Sequence, residues 1–271
     1  MPDDLERPLE RDLGRDLDLA LELADLADAF TLPRFERQDF ALGWKDDRTE
    51  VTEADRGTET LLAERILAAR PDDAMFGEEH GIQGAADSAW CWVIDPIDGT
   101  SGFVRGIPVW ATLIALTHRE RGAVVGVVSA PAIGRRWWGA HGLGSFAGGR
   151  RCQVSDIADL ADAQLCVTFS PGWEELGLMQ PLLSLLGSAR RARGFGDFWQ
   201  HCLVAEGAVD VAIDAVGLKP YDLAAVKVIV EEAGGTFTDR EGVATHEHDT
   251  AISSNGLLHG VVIEALRTRH A

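Results

Sequence analysis

The sequence predicts a mixed fold of class α/β, with helices and strands in layers (α+β layered). In residues 1–149, helix-period apolar patterns precede short apolar runs separated by turns, which is typical of helices beside a mostly antiparallel sheet. In residues 150–271, short apolar runs alternate with helical patterns, which indicates an α/β layer. No Pro/Ser-rich linker or repeat separates the two halves. We therefore expect one domain over residues 1–271.

The first half begins with two predicted helices. Residues 13–30 carry apolar side chains at helical spacing, and Pro33 is expected to end that helix. Residues 43–55 are polar and predict a loop, while residues 53–69 predict a second helix that Pro71 stops. Short strands are expected at 74–76, 90–94, 110–117, 123–129 and 135–138.

The second half is predicted to alternate between strands and helices. Strands are expected at 164–169, 209–213 and 250–253, and helices at 173–186, 198–207, 223–233 and 257–267.

Composition excludes several classes of partner. The formal net charge of the 271 residues is −19, which disfavours nucleic acid and anionic lipid, so we expect neither as a partner. No apolar run approaches the roughly 20 residues that span a bilayer. The acidic N-terminal residues lack the layout of a signal peptide, and the four cysteines are scattered without CxxC pairs. A cytoplasmic protein with reduced thiols is expected.

The stretch CWVIDPIDGTSGF at residues 91–103 ends a predicted buried strand with two carboxylates, Asp95 and Asp98. Pro96 turns the chain, and Gly99 permits a backbone approach that a Cβ would block. Hard divalent cations bind such carboxylates, and phosphate binds the backbone N–H groups that begin a helix. A surface Asp-Gly turn is the alternative.

Three other groups of carboxylates have structural alternatives as well. Glu78 and Glu79 follow a short apolar run, where adjacent charges are commonly solvated. Asp55 lies three residues after Thr52 at the start of the second helix, a spacing that also fits a capping box. Asp222 lies at the start of a helix, where N-capping is a sufficient explanation.

Taken together and in this order, these motifs resemble the inositol monophosphatase superfamily. The matching motifs are GEE at 77–79, DPIDGT at 95–100 and YDLAA at 221–225, and the resemblance covers residues 15–265. It implies a layered αβαβα sandwich and a single catalytic domain. It also implies a Mg²⁺-dependent, lithium-sensitive phosphoric monoester hydrolase that acts on a small phosphorylated substrate, and a homodimer.

The resemblance also implies a set of metal ligands. Glu78 and Asp95, with the backbone carbonyl of Ile97, would hold one Mg²⁺, and Asp95, Asp98 and Asp222 a second. A third ion would share Glu78. Two ions roughly 3.5–4 Å apart can activate water and stabilise a leaving oxygen, and they would let a chain of negative charge accept a phosphate.

The catalytic and phosphate-binding roles follow from the same resemblance. Asp55 would pair with Thr100, whose hydroxyl helps to deprotonate the attacking water, and Glu78 is expected to take part in catalysis as a metal ligand. The backbone N–H groups of Gly99, Thr100 and Ser101 would bind the phosphate.

Within the superfamily, the sequence looks closest to the histidinol-phosphate phosphatase branch. The segments at 99–116, 126–140 and 194–214, together with KPYD at 219–222, carry this likeness. It implies hydrolysis of L-histidinol phosphate in histidine biosynthesis. The likeness also places Asp197 and Asp214 where members of the family contact the substrate beyond its phosphate. Carboxylates that face the ammonium and imidazole of histidinol phosphate would form charge-assisted hydrogen bonds. An N-cap before Phe198 is the alternative for Asp197.

Other substrates and one other class of function stay open at this point. Inositol 1-phosphate, a nucleotide 3′-phosphate and fructose bisphosphate are alternatives within the superfamily. A non-catalytic binding partner of the transcription machinery is the alternative from a different class.

Several further residues are expected to lie outside the site. His246 and His248 lie in a polar segment and should be solvated, as should Glu206 on its helix. The tryptophans are expected in the core or at dimer contacts, with Trp137 and Trp138 as the candidates for an interface. The arginine pairs are expected at the surface or an interface, at 135–136, 150–151 and 190–191.

Overall fold

Two helices lie side by side on one face of a sheet: α1 spans Leu13–Arg37 and α2 spans Glu53–Ala69. The structure is a computed structural model that describes residues 11–45, 49–214 and 216–267. The outermost residues of the predicted domain, 1–10 and 268–271, lie outside the described residues. The start of α2 is the predicted capping box, since Thr52 and Asp55 bond reciprocally across the first turn.

The prediction that Pro33 ends α1 is wrong, because the helix continues to Arg37. A proline in a helix lacks one N–H and disturbs the preceding turn, but side chains here bond two carbonyls nearby. Thr31 Oγ1 donates to the Ala27 carbonyl at 2.7 Å and Arg34 Nη1 to the Phe30 carbonyl at 2.8 Å. The last turn is also held by Phe35, which packs on aromatic rings of the core.

The polar stretch predicted as a loop contains a small hairpin. Strands β1 (Leu42–Trp44) and β2 (Glu50–Thr52) pair antiparallel, with Gly43 opposite Val51. The stretch shows little alternation of apolar and polar residues, so the period of a strand was absent from the sequence.

The first half folds mainly into one large sheet. Within the described residues this sheet has eight strands in the order β10-β9-β8-β7-β6-β5-β3-β4. Among the described strands of this sheet, β3 and β5 are the one parallel pair, so the expected mostly antiparallel sheet is confirmed. The strands are β3 (Ala74–Gly77), β4 (Gly81–Gly84), β5 (Trp90–Asp98), β6 (Ala111–His118), β7 (Gly122–Ala130), β8 (Arg135–Ala140), β9 (Gly144–Ala147) and β10 (Arg150–Arg151).

The second half forms a smaller mixed sheet with its own helices. Five described strands follow the order β12-β11-β13-β15-β14, and β11 is parallel to both of its neighbours. The helix predicted at 173–186 is divided, because Gly177 takes a left-handed conformation after its first turn. The elements are α3 (Thr100–Val104), β11 (Gln164–Val167), α4 (Gly172–Glu175), α5 (Met179–Ser188), β12 (Arg191–Arg193), α6 (Asp197–Ala205), β13 (Val211–Ile213), α7 (Pro220–Glu232), β14 (Thr236–Thr238), β15 (Ile252–Ser254) and α8 (His259–Leu266).

These elements stack in five layers. The pair α1 and α2 lies on one face of the large sheet, and α6 and α7 lie between the two sheets. The pair α5 and α8 covers the outer face of the small sheet, which completes the predicted αβαβα sandwich. The large sheet and α7 approach closely, because a Cβ added at Gly126 would lie 2.4 Å from the carbonyl oxygen of Ala225.

Some expectations about exposure are wrong. Trp137 is fully buried and donates its Nε1–H to Glu206 at 2.6 Å, so it is not an interface residue, and Glu206 is half-buried and also paired with Arg135. His246 is also buried, and burial lowers its pKa to about 4. Local polarity suggested a solvated turn, but distant segments cover the ring. The four cysteines are free, as expected.

The length and polarity of a helix decide whether it could span a membrane. Among the described helices, none is long and apolar enough to cross a bilayer.

Candidate active site

The end of strand β5 brings two carboxylates to one place. Asp95 pairs with Leu113 and Asp98 with Ala111, so β5 has one residue more than β6 across this interval. Such a bulge reverses the usual alternation, which would otherwise send residues three apart to opposite faces. Asp95 Oδ1 accepts the Ile97 N–H at 3.0 Å, which holds the bulged segment against the carboxylate.

The third carboxylate comes from the first turn of α7. Lys219 is the N-cap and Pro220 the first helical residue, so Asp222 is the third residue of the helix and not the N-cap. Asp222 Oδ2 accepts the Lys219 N–H at 2.7 Å. Carboxylate oxygens of Asp95, Asp98 and Asp222 lie within 4.8 Å of one another. The sequence-predicted residues of the second metal position are thus brought together.

Burial of these carboxylates disfavours their charged forms. Burial and the charge of Glu78 raise the pKa of Asp95 well above its usual range, and burial with the charge of Asp197 does so for Asp98. Burial likewise raises the pKa of Asp222 to about 6. Among the described residues, no Lys or Arg forms an ion pair with these three carboxylates. A cluster of like charges that is buried at Asp95 and half-buried at Asp98 and Asp222 fits hard divalent cations, which supply the missing positive charge.

Glu78 follows β3 and lies beside Asp95, with which it shares a side-chain hydrogen bond. It lies outside the group of three within 4.8 Å. Lys45, from the end of β1, contacts Glu78 and Glu79 with Nζ–O distances of 2.6 Å each. Burial raises the pKa of Glu78 to about 7 despite that contact. Glu78 therefore lies between one lysine and the carboxylate cluster.

Glu59 is a buried residue of this region that sequence reasoning missed. Its carboxylate accepts the Glu79 N–H at 2.7 Å and the His80 N–H at 2.8 Å. A Cβ added at Gly77 would lie 2.1 Å from Glu59 Oε1, which explains the glycine before Glu78. The sequence contained a signal for this residue, because Glu59 follows Asp55 by four residues and therefore lies on the same face of α2.

Asp55 and Thr100 meet as expected, through a bond from Thr100 Oγ1 to Asp55 Oδ1 of 3.1 Å. Asp55 Oδ2 accepts the Thr52 N–H at 2.8 Å and the Thr52 hydroxyl at 2.6 Å, so this carboxylate is fixed on both oxygens. Burial raises the pKa of Asp55. Thr100 Oγ1 also lies 3.0 Å from the carbonyl of Ile97, the predicted backbone ligand.

The predicted phosphate-binding segment forms a turn into α3. Gly99 has φ of 85° and precedes the first helical residue, Thr100. A Cβ at Gly99 would lie 3.0 Å from the Val109 carbonyl oxygen, so both conformation and space favour glycine. The first N–H groups of a helix have no partner within the helix, so those of Thr100 and Ser101 suit an anion. The Ser101 hydroxyl is bonded by Arg105.

Of the two carboxylates predicted to bind the substrate, Asp197 lies beside this segment and Asp214 lies close to Asp197. Asp197 is the first residue of α6, with φ of 48°, and its Oδ2 would lie 3.4 Å from a Cβ at Gly99. It does not cap the helix: Gly196 is the N-cap, and Asp98 Oδ2 accepts the Phe198 N–H at 2.8 Å. Burial and the charge of Asp214 raise the pKa of Asp197 to about 6. Asp98 thus joins the carboxylate cluster to α6.

Comparison with known proteins agrees with this geometry. A sequence model of the inositol monophosphatase family matches residues 18–271. Histidinol-phosphatase from Streptomyces coelicolor is 44% identical over 260 residues, covering 93% of this chain and 97% of that protein. Histidinol-phosphatase from Mycobacterium tuberculosis is 46% identical over 253 residues, covering 92% and 96%.

A solved structure shows the same fold. The extragenic suppressor protein SuhB from Bartonella henselae superimposes with a TM-score of 0.86 at 27% identity, covering 94% of this chain and 99% of that chain. The sequence and fold matches extend over nearly the whole chain, and the family model spans the residues of the carboxylate cluster. The chain therefore belongs to the inositol monophosphatase family and is a phosphoric monoester hydrolase.

Proposed function

We propose that the protein is a Mg²⁺-dependent phosphatase that hydrolyses L-histidinol phosphate to L-histidinol and phosphate. The observation that carries this choice is a pair of neighbouring carboxylates, Asp197 beside the phosphate-binding segment and the buried Asp214 close to Asp197. A substrate with an ammonium and an imidazole gains charge-assisted hydrogen bonds there, whereas an inositol ring carries no charge to match. The relatives named histidinol-phosphatase support the same choice.

The metal ligands in this proposal are residues of the carboxylate cluster. Glu78, Asp95 and the Ile97 carbonyl would hold one Mg²⁺, and Asp95, Asp98 and Asp222 a second. A third ion would share Glu78. The fit rests on donor chemistry, since buried oxygens with raised pKa values are what hard cations stabilise in the charged form. Bound Mg²⁺ supplies positive charge to the phosphate oxygens and makes water a better nucleophile.

The proton of the attacking water would leave through Thr100 and Asp55. The Thr100 hydroxyl donates its hydrogen to Asp55 Oδ1. The lone pairs of Thr100 Oγ1 therefore face away from the carboxylate, and this oxygen can accept a proton from water. As the water gives a proton to Thr100 Oγ1, the hydroxyl proton passes to Asp55. The bonds from Thr52 hold Asp55 in place for this transfer.

The phosphate itself would be held by the N–H groups of residues 99–101. The left-handed turn at Gly99 begins α3 directly after Asp98, so the free N–H groups at the helix start follow a residue of the carboxylate cluster and would bind the phosphate there. In-line attack by water would form a new P–O bond while the P–O bond to the ester oxygen breaks, and that oxygen would take a proton from solvent water and leave as the alcohol. Asp197 and Asp214 would contact that alcohol.

We also propose that residues 1–271 act as one catalytic domain, because a single hydrophobic cluster includes buried residues of both halves. Further parts of the proposal are a cytoplasmic homodimer, sensitivity to lithium, and no partner among nucleic acids or membranes. Sedimentation that shows only monomer at micromolar concentration would contradict the dimer.

The substrate is tested by measuring phosphate release with Mg²⁺ from four esters side by side. These are histidinol phosphate, inositol 1-phosphate, 3′-phosphoadenosine 5′-phosphate and fructose bisphosphate. We expect the highest kcat/KM with histidinol phosphate. A preference for another ester would keep the catalytic proposal and reject the substrate. Inactivity on all four would instead favour a non-catalytic role as a partner of the transcription machinery.

A further inference from the structure

His201 lies in the middle of α6 with almost no exposure of its side chain, 1%. It follows Asp197 by four residues, and the two side chains are close enough to interact electrostatically. Its Nε2 lies 3.2 Å from Asp214 Oδ2, and its Nδ1 lies 2.7 Å from the Ser253 hydroxyl. The imidazole therefore joins α6 to the end of β13 and to β15.

The two contacts restrict the ring in different directions. The pair with Ser253 fixes Nδ1 at the small sheet, and the ring packs on Phe237 with a centroid distance of 6.0 Å. With Nδ1 held in this way, Nε2 faces the Asp214 carboxylate. A neutral ring that accepts from the Ser253 hydroxyl presents Nε2–H to Asp214.

Asp214 is held at its backbone as well, because its N–H donates to the Ala251 carbonyl at 2.8 Å. With main chain and side chain both held, the carboxylate loses little conformational freedom when a ligand binds. Preorganisation of this kind improves binding, because the carboxylate loses its conformational entropy when the protein folds and not when the ligand binds. His201 is thus suited to orient one of the two carboxylates that are predicted to bind the substrate.

We propose that His201 is a positioning residue for substrate selection: it holds Asp214 in the orientation that recognises the cationic part of an amino-alcohol phosphate. This inference rests on the proposed function. His201 itself lies behind Asp214 and does not touch the substrate. A residue that only filled the core would affect all phosphate esters alike, whereas His201 acts on the choice between cationic and uncharged esters.

The test compares kcat/KM for histidinol phosphate and for glycerol 2-phosphate, an ester without a cationic group. H201L removes the donor, and H201Q is the matched control because its amide can place an N–H near the position of Nε2. We expect H201L to lower the ratio of the two kcat/KM values by about tenfold, through KM for histidinol phosphate. H201Q should recover most of the ratio.

The double variant H201L/D214N separates an indirect role from an independent one. If His201 acts through Asp214, the double variant discriminates no worse than D214N alone. Additive losses, or an equal loss on both esters in H201L, would overturn the inference. If H201L fails to fold by circular dichroism, S253A replaces it, since freeing Nδ1 should lower the same ratio. An unchanged ratio in S253A would then count against the inference.

The preference of the wild-type protein for histidinol phosphate distinguishes a failure of the proposed function from a failure of this inference. A wild-type protein without preference for histidinol phosphate rejects the function and the inference with it. A wild-type preference that survives in H201L rejects the role of His201 alone.

Discussion

Replacing Asp222 with asparagine should stabilise the metal-free protein at neutral pH and leave its stability nearly unchanged at pH 4. The reason is the pKa of Asp222, which burial raises from 3.8 to about 6. A carboxyl whose pKa is higher in the folded state binds protons more tightly there. Its contribution to stability is therefore lost as pH rises from about 4 through 6, and the amide of D222N avoids this loss.

The size of the effect follows from that change in pKa. At about 1.4 kcal/mol per pKa unit, the rise from 3.8 to about 6 corresponds to about 3 kcal/mol at pH 7. For a protein of this size, each kcal/mol changes Tm by about 2–4 °C, so the gain is about 6–12 °C. The Lys219 N–H keeps an acceptor, because the asparagine side-chain oxygen can replace Oδ2.

The assay is thermal unfolding of EDTA-treated wild type and D222N at pH 4 and pH 7, followed by circular dichroism. The matched control is D87N, which neutralises an exposed aspartate and should follow the wild type at both pH values. Added Mg²⁺ should reverse the order at pH 7, because ligand binding stabilises the wild type and D222N has lost a ligand. The reasoning would be refuted by a metal-free D222N that melts at or below the wild-type Tm at pH 7.

Four other changes have defined outcomes. D95N should lower kcat by orders of magnitude while circular dichroism stays native, and unchanged turnover would reject the two-metal proposal. T100A should lower kcat about 10²–10³-fold and T100S should recover most of it, whereas equal activity of the two variants would exclude the hydroxyl from proton transfer. E59Q should raise the Mg²⁺ concentration for half-maximal activity about tenfold, because an amide cannot accept both N–H bonds at residues 79 and 80. An unaltered Mg²⁺ titration would contradict that role. G126A should cost about 2–3 kcal/mol in the free energy of unfolding by urea, since its Cβ would overlap the carbonyl of Ala225. An unchanged urea midpoint would show that the sheet and α7 separate easily.

Local chemistry explains which elements were predictable. The second helix was expected at 53–69 and α2 is Glu53–Ala69, because Thr52 and Asp55 form the capping box within four residues of each other. The core strands β5, β6 and β7 were found because their apolar runs are long and bounded by turns. In each case the signal lies within a few residues of the element it determines.

Errors arose where distant residues decide the outcome. Pro33 is expected to end a helix because it lacks an N–H, yet α1 continues to Arg37, where packing of Phe35 in the core stabilises the last turn. His246 belongs to a polar segment, yet other segments bury it. The short glycine-containing strands β4 and β9 have too few apolar residues for a period, and they exist because a neighbouring strand supplies hydrogen bonds.

The sequence by itself determined the fold class, the family and the order of the carboxylate motifs, because these depend on residue types at short spacings. Tertiary structure alone decided that Asp95, Asp98 and Asp222 converge, that Asp98 caps α6, and that His201 holds Asp214. Convergence of this kind requires a bulge in one strand, the first turn of a remote helix and the packing of two sheets on α7. None of these has a local signature, because each results from contacts between residues far apart in the chain.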